Sequence, residues 1–182
     1  ALEALAPLGE EYLGILREGF DNRWIDVYEN QGKRSGAYSS GVFGNHPFVL
    51  LNYTDTLDDL FTLVHEMGHA LHSYLSNREQ PVTYANYKIF VAEVASTCNE
   101  SLLMQHLLGK TQEPKQRAYL INHFLEQFRT TLYRQTMFAE FELWCSEETR
   151  KGHPLTAEAL CDKYGELNRE YYGEEIEPDQ EI

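Results

Sequence analysis

His65-Glu66-Met67-Gly68-His69 is the stretch on which the reading of this chain turns. It has the form HExxH, a signature of zinc metallopeptidases. On a helix the two histidines, four residues apart, share one face and can grip one metal ion together. Glu66 follows the first histidine and faces the same cleft, where it can take a proton from a water that the metal activates. The competing reading, a charged helix with two solvated histidines, has to be weighed against the surrounding residues.

Upstream, Thr56-Leu57-Asp58-Asp59 resembles a capping box, with Thr56 as N-cap and Asp59 at the third helical position. The helix it opens is expected to run to about Ser76. Leu57, Leu60, Phe61, Val64, Leu71 and Leu75 recur at three- and four-residue steps and predict its core stripe. His65, His69 and His72 lie about a quarter-turn from that stripe, near the core yet facing a cleft. Gly68 costs the helix about 1 kcal/mol relative to Ala. Either another helix's backbone approaches closely there, or the glycine is incidental.

Further out, residues 10–22 have helical spacing at Tyr12, Leu13, Leu16 and Phe20. A polar loop over 30–36 precedes two extended stretches, 37–43 and 47–53, which predict a short hairpin around Gly44-Asn45-His46. His46 is assigned to the loop rather than to a metal. A second long helix is expected over 85–108, ending at Gly109, with Ile89, Ala92, Ser96, Leu103 and Leu107 on its packing face. A third element, 115–151, carries Tyr119, Phe124, Phe128, Tyr133, Phe138, Phe141 and Trp144, a stripe read as core rather than as a ligand wall. The last helix is expected from Thr156, as N-cap, to Tyr172, with Gly173 just past its end.

The 182 residues, 42% hydrophobic and 24% charged, fit a globular domain with a real core. A net charge of −14 argues against nucleic acid and anionic membrane partners, which both call for a basic face. No apolar run is long enough to cross a bilayer. Cys98, Cys145 and Cys161 are odd in number and lack CxxC spacing, so no disulfide framework or cysteine zinc site is implied. Free thiols and the lack of a signal-peptide pattern suggest the cytoplasm. The start at Ala1 and the acidic stretch 174–182 suggest part of a single domain truncated at both ends.

A catalytic zinc takes three protein ligands and leaves one position open. A metzincin-type third ligand would need Gly at 72 and His at 75, where this chain has His72 and Leu75. A glutamate on a following helix is the other common solution, which leaves Glu79, Glu93 and Glu100 as candidates.

Residues 63–72, Leu-Val-His-Glu-Met-Gly-His-Ala-Leu-His, followed by Phe90-Val91-Ala92-Glu93-Val94-Ala95-Ser96-Thr97, resemble the oligoendopeptidase F branch of the M3 metallopeptidases. Residues 33–39 and 46–53 are similar to the stretch preceding the zinc helix in that family, and the resemblance covers essentially all of the chain. It implies His65, His69 and Glu93 as zinc ligands, one Zn2+ per chain, and Glu66 as catalytic base. His72 either lines the cleft or hydrogen-bonds groups behind the ligands, or is simply exposed, and Glu100 and Ser96 either orient the ligands or do ordinary helix-surface duty. Full-length relatives are several times longer and carry a later stretch whose His and Tyr residues stabilise the transition state. Tyr171 and Tyr172 are not in a matching context.

The resemblance thus implies a mainly α, zincin-like catalytic domain with a small β-hairpin or sheet beside the HExxH helix. Its activity would be zinc-dependent cleavage of internal bonds in short oligopeptides, with the missing parts of the same polypeptide as partners. Two rivals stay open: an aminopeptidase of related type, and a piece that binds zinc or peptide without turnover.

Overall fold

The structure is a computed structural model and describes residues 1–176; the acidic residues 177–182 lie outside the described part. Its contacts divide into two compact units, Ala1–Arg117 and the residues from Ala118 onward.

The first unit is built on two long helices. A short 3-10 turn at Ala6–Leu8 leads into α1 (Glu10–Asp21). Strands β1 (Ile25–Asp26), β2 (Tyr38–Ser40) and β3 (Phe48–Leu50) follow, then α2 (Leu57–Glu79) and α3 (Ile89–Lys110). β2 and β3 form the expected antiparallel hairpin, with Tyr38, Ser39 and Ser40 opposite Leu50, Val49 and Phe48. β1 is a third strand that the sequence does not announce, parallel to β3 and giving the order β1-β3-β2. Trp24, only 1% exposed, anchors it. The Val49 N–H donates to the Trp24 carbonyl at 2.7 Å, and those of Leu51 and Tyr53 donate to Asp26 and Val27 at 2.9 Å. His46 stays in the hairpin loop, stacked on Trp24 with ring centroids 5.3 Å apart.

α2 begins where the capping box places it. The Asp59 N–H donates to Thr56 Oγ1 at 3.2 Å, and the Thr56 N–H donates back to Asp59 Oδ2 at 3.0 Å. Thr54 adds its own N–H and hydroxyl to the same carboxylate oxygen. These donors, led by those of Thr56, bring the Asp59 carboxyl from its ordinary 3.8 down to about 2. The cap therefore stabilises the fold fully above the unfolded value near 3.8, and that contribution disappears as pH falls through about 2. Asp59→Ala is expected to lower the melting temperature at pH 7. The gap from the unsubstituted chain should close between pH 4 and 2, which thermal melts across that range would check. A constant gap would discount the cap.

α2 is buried on more than its expected stripe. Phe61, Val64 and Leu71 are buried as expected, but so are Met67 and Ala70, each 0% exposed. The helix packs against α1, α3 and the sheet at once, so one stripe is too narrow to describe it. α3 packs on α2, with Ser96 and Asn99 at the seam, and buries Ala92, Ser96, Asn99, Leu103 and Met104. Ile89, expected on that face, is 82% exposed because it opens the helix ahead of the seam. α3 also runs through Gly109 to Lys110 rather than stopping there. Gly109 shows no positive φ, so it makes no C-cap.

α4 (Pro114–Gln127) links the first unit to the second, which continues it through a π-helical stretch, Phe128–Tyr133, into α5 (Arg134–Lys151). The single element expected over 115–151 is thus one helical run with a wide turn in its middle. There Thr130 Oγ1 donates back to the Glu126 carbonyl at 2.8 Å, the kind of bond that loosens a helical ladder. α6 (Ala157–Tyr172) has Thr156 as its cap, accepting from the Ala159 N–H at 3.2 Å, and Gly173 at φ +102° just past its end. α5 and α6 pack with Phe138 and Phe141 against Tyr164, and Met137 and Leu167 are their buried residues. The aromatic stripe is not core as expected, because the helical run packs on few neighbours. None of its seven side chains is buried: Tyr119 is 62% exposed, Phe128 and Tyr133 about half, and Phe124, Phe138, Phe141 and Trp144 are intermediate.

Candidate metal centre

The side chains of His65 and His69 leave α2 one turn apart and meet that of Glu93 from the first turns of α3. His65 Nε2 and His69 Nε2 are 3.1 Å apart, and Glu93 Oε2 lies 3.3 and 3.4 Å from them. One ligand atom from each of the three falls within 4.8 Å of the others, the only such metal-capable group among the described residues.

The far side of each group is held. His65 Nδ1 is hydrogen-bonded to Glu100 Oε1. The Ala92 carbonyl accepts from the His69 ring. Ser96, fully buried, donates its hydroxyl to Glu93 Oε2 at 2.6 Å. Burial works against a charged His65, but the Glu100 carboxylate outweighs it and holds the imidazole above its ordinary value. For His69 burial prevails and pushes the value down, against the pull of Glu93.

Two imidazole nitrogens and a carboxylate oxygen converge here, the donor types that zinc takes. Tetrahedral zinc at 2.0–2.1 Å would space its ligands about 3.3 Å apart, close to the 3.1, 3.3 and 3.4 Å separations found. The residues present fit a zinc ion.

Glu66 sits beside this set at 7% exposure. Burial pushes its carboxyl up, while His65 and a backbone hydrogen bond from Ser39 in β2 pull it down; the net direction is upward. The HExxH helix and the sheet thus meet at Glu66 through a backbone N–H that no sequence motif marks.

Close contact of the two helices makes the set possible. A Cβ on Gly68 would meet Ser96 Cα at 2.7 Å and the Ala95 carbonyl oxygen at 2.9 Å, so the glycine marks a close backbone approach and is not incidental. Asn99, 1% exposed, donates to the Val64 carbonyl at 2.9 Å and accepts from the Tyr12 hydroxyl at 3.0 Å. It ties α3 to both α2 and α1. Glu79 is not brought to the site; as the last residue of α2 it pairs with Arg78 at 2.7 Å. His72 is not among the convergent donors and stacks on Tyr87 instead.

Comparison with known proteins places the chain in a family. Peptidase family M3 is matched over residues 3–182. Oligopeptidase PepF of Bacillus subtilis is 55% identical over 100% of this chain and 27% of its own length. The chromosomal oligoendopeptidase F of Lactococcus lactis subsp. cremoris is 52% identical over 100% of the chain and 30% of its own. A crystal structure of a candidate peptidase from Chlamydophila abortus matches with a TM-score of 0.80 at 45% identity, over 98% of this chain and 30% of that one. The chain therefore spans less than a third of these relatives. Its helical fold with a three-stranded sheet, and its match from residue 3 to residue 182, carry one conclusion: the chain belongs to peptidase family M3, with its likeness in the oligoendopeptidase F branch.

Proposed function

We propose that this chain is the metal-bearing part of a zinc endopeptidase that hydrolyses internal bonds of short oligopeptides. The observation that carries the reading is the convergence of His65, His69 and Glu93 beside the buried carboxyl of Glu66. Zinc held by His65, His69 and Glu93 would supply Lewis-acid chemistry, polarising a scissile carbonyl and acidifying a water. Glu66 would take the proton released as a water oxygen bonds to the carbonyl carbon and pass it to the amine nitrogen as the C–N bond breaks. Glu100, Ser96 and the Ala92 carbonyl keep the three ligands oriented through the cycle.

The names of the relatives, an oligopeptidase and an oligoendopeptidase, support short peptides as substrates. β2 is an edge strand of the sheet, and we assign it the pairing of substrate backbone as an added strand, which favours sequence-tolerant binding. We take both units as parts of one catalytic domain that further polypeptide completes. Support comes from the share of the relatives covered and from the apolar residues Phe90 and Val94, 89% and 63% exposed beside Glu93. Three free thiols favour the cytoplasm. The charge of −14 favours neither nucleic acid nor an anionic membrane as partner. Among the described residues no helix is long and apolar enough to cross a membrane.

Elemental analysis of the purified chain is expected to find about one zinc per chain after loading and dialysis. No retained zinc would remove the metal centre from this chain. Assayed with its complete domain, an N-acetylated oligopeptide is expected to be cut internally. An intact N-acetylated peptide alongside trimming of its free counterpart would favour the aminopeptidase reading. Zinc retention with no cleavage of either would favour the binding-only reading.

A further inference from the structure

His72 is the histidine of this region that the metal set does not use. Its ring lies flat on Tyr87, with centroids 3.7 Å apart and planes 10° from parallel. The Tyr87 hydroxyl is in turn tied to Ser73 Oγ at 2.8 Å. Stacking fixes the plane of the imidazole, and the hydroxyl bond fixes the ring beneath it. His72 Nδ1 is buried and has no hydrogen-bond partner, whereas Nε2 is not among such enclosed atoms.

An orphaned buried N–H is rarer than an under-satisfied acceptor. Nδ1 is thus the bare nitrogen of the neutral ring, and the proton sits on Nε2. A charged imidazolium also carries a hydrogen at Nε2, so this atom is a donor in either state. His72 is three residues beyond His69 and seven beyond His65 on α2. That spacing puts it on the flank that carries the metal ligands. The polar side chains around the metal set offer mainly acceptors: Glu66 on α2 and Glu93 and Glu100 on α3, with Nε2 of His65 and His69 turned toward each other. These groups are short of donors. Three carboxylates also disfavour an anionic group, which leaves a neutral acceptor as the complement.

We propose that His72 is a substrate-positioning residue whose Nε2–H donates to a peptide carbonyl oxygen beside the metal centre. The assignment rests on the peptidase reading above and adds a contact to it. The stack on Tyr87 serves as the mount that aims this donor, and the lack of a partner for Nδ1 is the cost of aiming it outward.

His72→Phe keeps a flat ring on Tyr87 and removes the donor, while His72→Gln restores an N–H without the ring. Each would be compared with the unsubstituted protein in its complete, zinc-loaded domain. The readouts are zinc content, kcat and KM on an N-acetylated oligopeptide, and affinity for the same peptide with its scissile amide reduced. For His72→Phe we expect KM and the peptide dissociation constant to rise about 3- to 10-fold, with kcat and zinc content close to unchanged. His72→Gln should recover part of the loss. In a series of peptides with one further carbonyl reduced at a time, a single member should bind the unsubstituted protein and His72→Phe alike.

Unchanged KM and affinity in His72→Phe would overturn the proposal and leave His72 as packing. Equal losses in His72→Phe and His72→Gln, or a loss that tracks falling zinc content, would overturn it as well. An unsubstituted protein that holds zinc yet neither binds nor cuts peptide would remove the peptidase reading itself. That result is distinguishable, because it shows before any variant is made.

Discussion

Glu66→Gln is expected to retain zinc at the level of the unsubstituted protein and to slow peptide cleavage by about 10²- to 10⁴-fold, the usual contribution of a positioned general base. Glutamine matches the carboxyl in size, so the pocket that leaves Glu66 only 7% exposed stays filled. Its amide oxygen can still accept from the Ser39 backbone, the hydrogen bond that joins Glu66 to β2. What is lost is the capacity to carry a proton from water to the leaving amine. His65, His69 and Glu93 are untouched, as are their supports at Glu100, Ala92 and Ser96. The measurement is paired: zinc per chain by elemental analysis, and kcat/KM on an N-acetylated oligopeptide in the complete domain. Near-normal turnover in the variant would show that another group is the base. Loss of zinc along with turnover would make Glu66 part of the metal site's framework instead.

The parts of this structure legible in the sequence are those that a single side chain or a short local spacing controls. Thr56 with Asp59 opens α2, Thr156 opens α6 and Gly173 closes it, each through contacts three or four residues long. The same holds for His65, His69 and Glu66, which one helical turn brings together. Glu93 is a different matter. Glu79, Glu93 and Glu100 are equally legible as carboxylates downstream of the motif, and family resemblance, not spacing, singles out Glu93. The fold brings two of them to His65. Seven residues apart on α3, Glu93 and Glu100 both reach His65, one at Nε2 and the other at Nδ1.

What stays illegible is carried by backbone groups or by packing between distant segments. β1 is two residues long and held by main-chain bonds to a strand more than twenty residues away. The Ala92 carbonyl and the Ser39 N–H have no side-chain signature at all. Ile89 has the periodicity of a core residue but precedes the seam it was expected to join, and periodicity does not say where contact begins.

Gly68→Ala tests the closest of these long-range contacts. An alanine in the middle of a helix is favoured over glycine by about 1 kcal/mol, so a helix free of neighbours would be stabilised. Here the new Cβ would stand 2.7 Å from Ser96 Cα, 2.9 Å from the Ala95 carbonyl oxygen and 3.0 Å from the Ser96 nitrogen. All three are backbone atoms, so no rotamer change can relieve the clash. The helices must part by several tenths of an ångström, and overpacking of this kind costs about 1–3 kcal/mol. The clash matches or exceeds the propensity gain, and the displacement has a specific consequence. Ser96 is the residue that holds Glu93 Oε2, so moving it shifts the proposed third ligand away from His65 and His69. Zinc affinity is expected to fall about 10- to 100-fold, the range found when groups supporting metal ligands are lost. Gly109→Ala supplies the control: it lies in the same pair of helices, and a Cβ there would meet nothing within 4 Å. That variant should match or exceed the unsubstituted chain in melting temperature and bind zinc equally well. Competition with a chelator of known affinity, run beside thermal melts, would read both effects. If Gly68→Ala gained stability as Gly109→Ala does and kept its zinc, the close approach of α2 and α3 would not be what assembles the site.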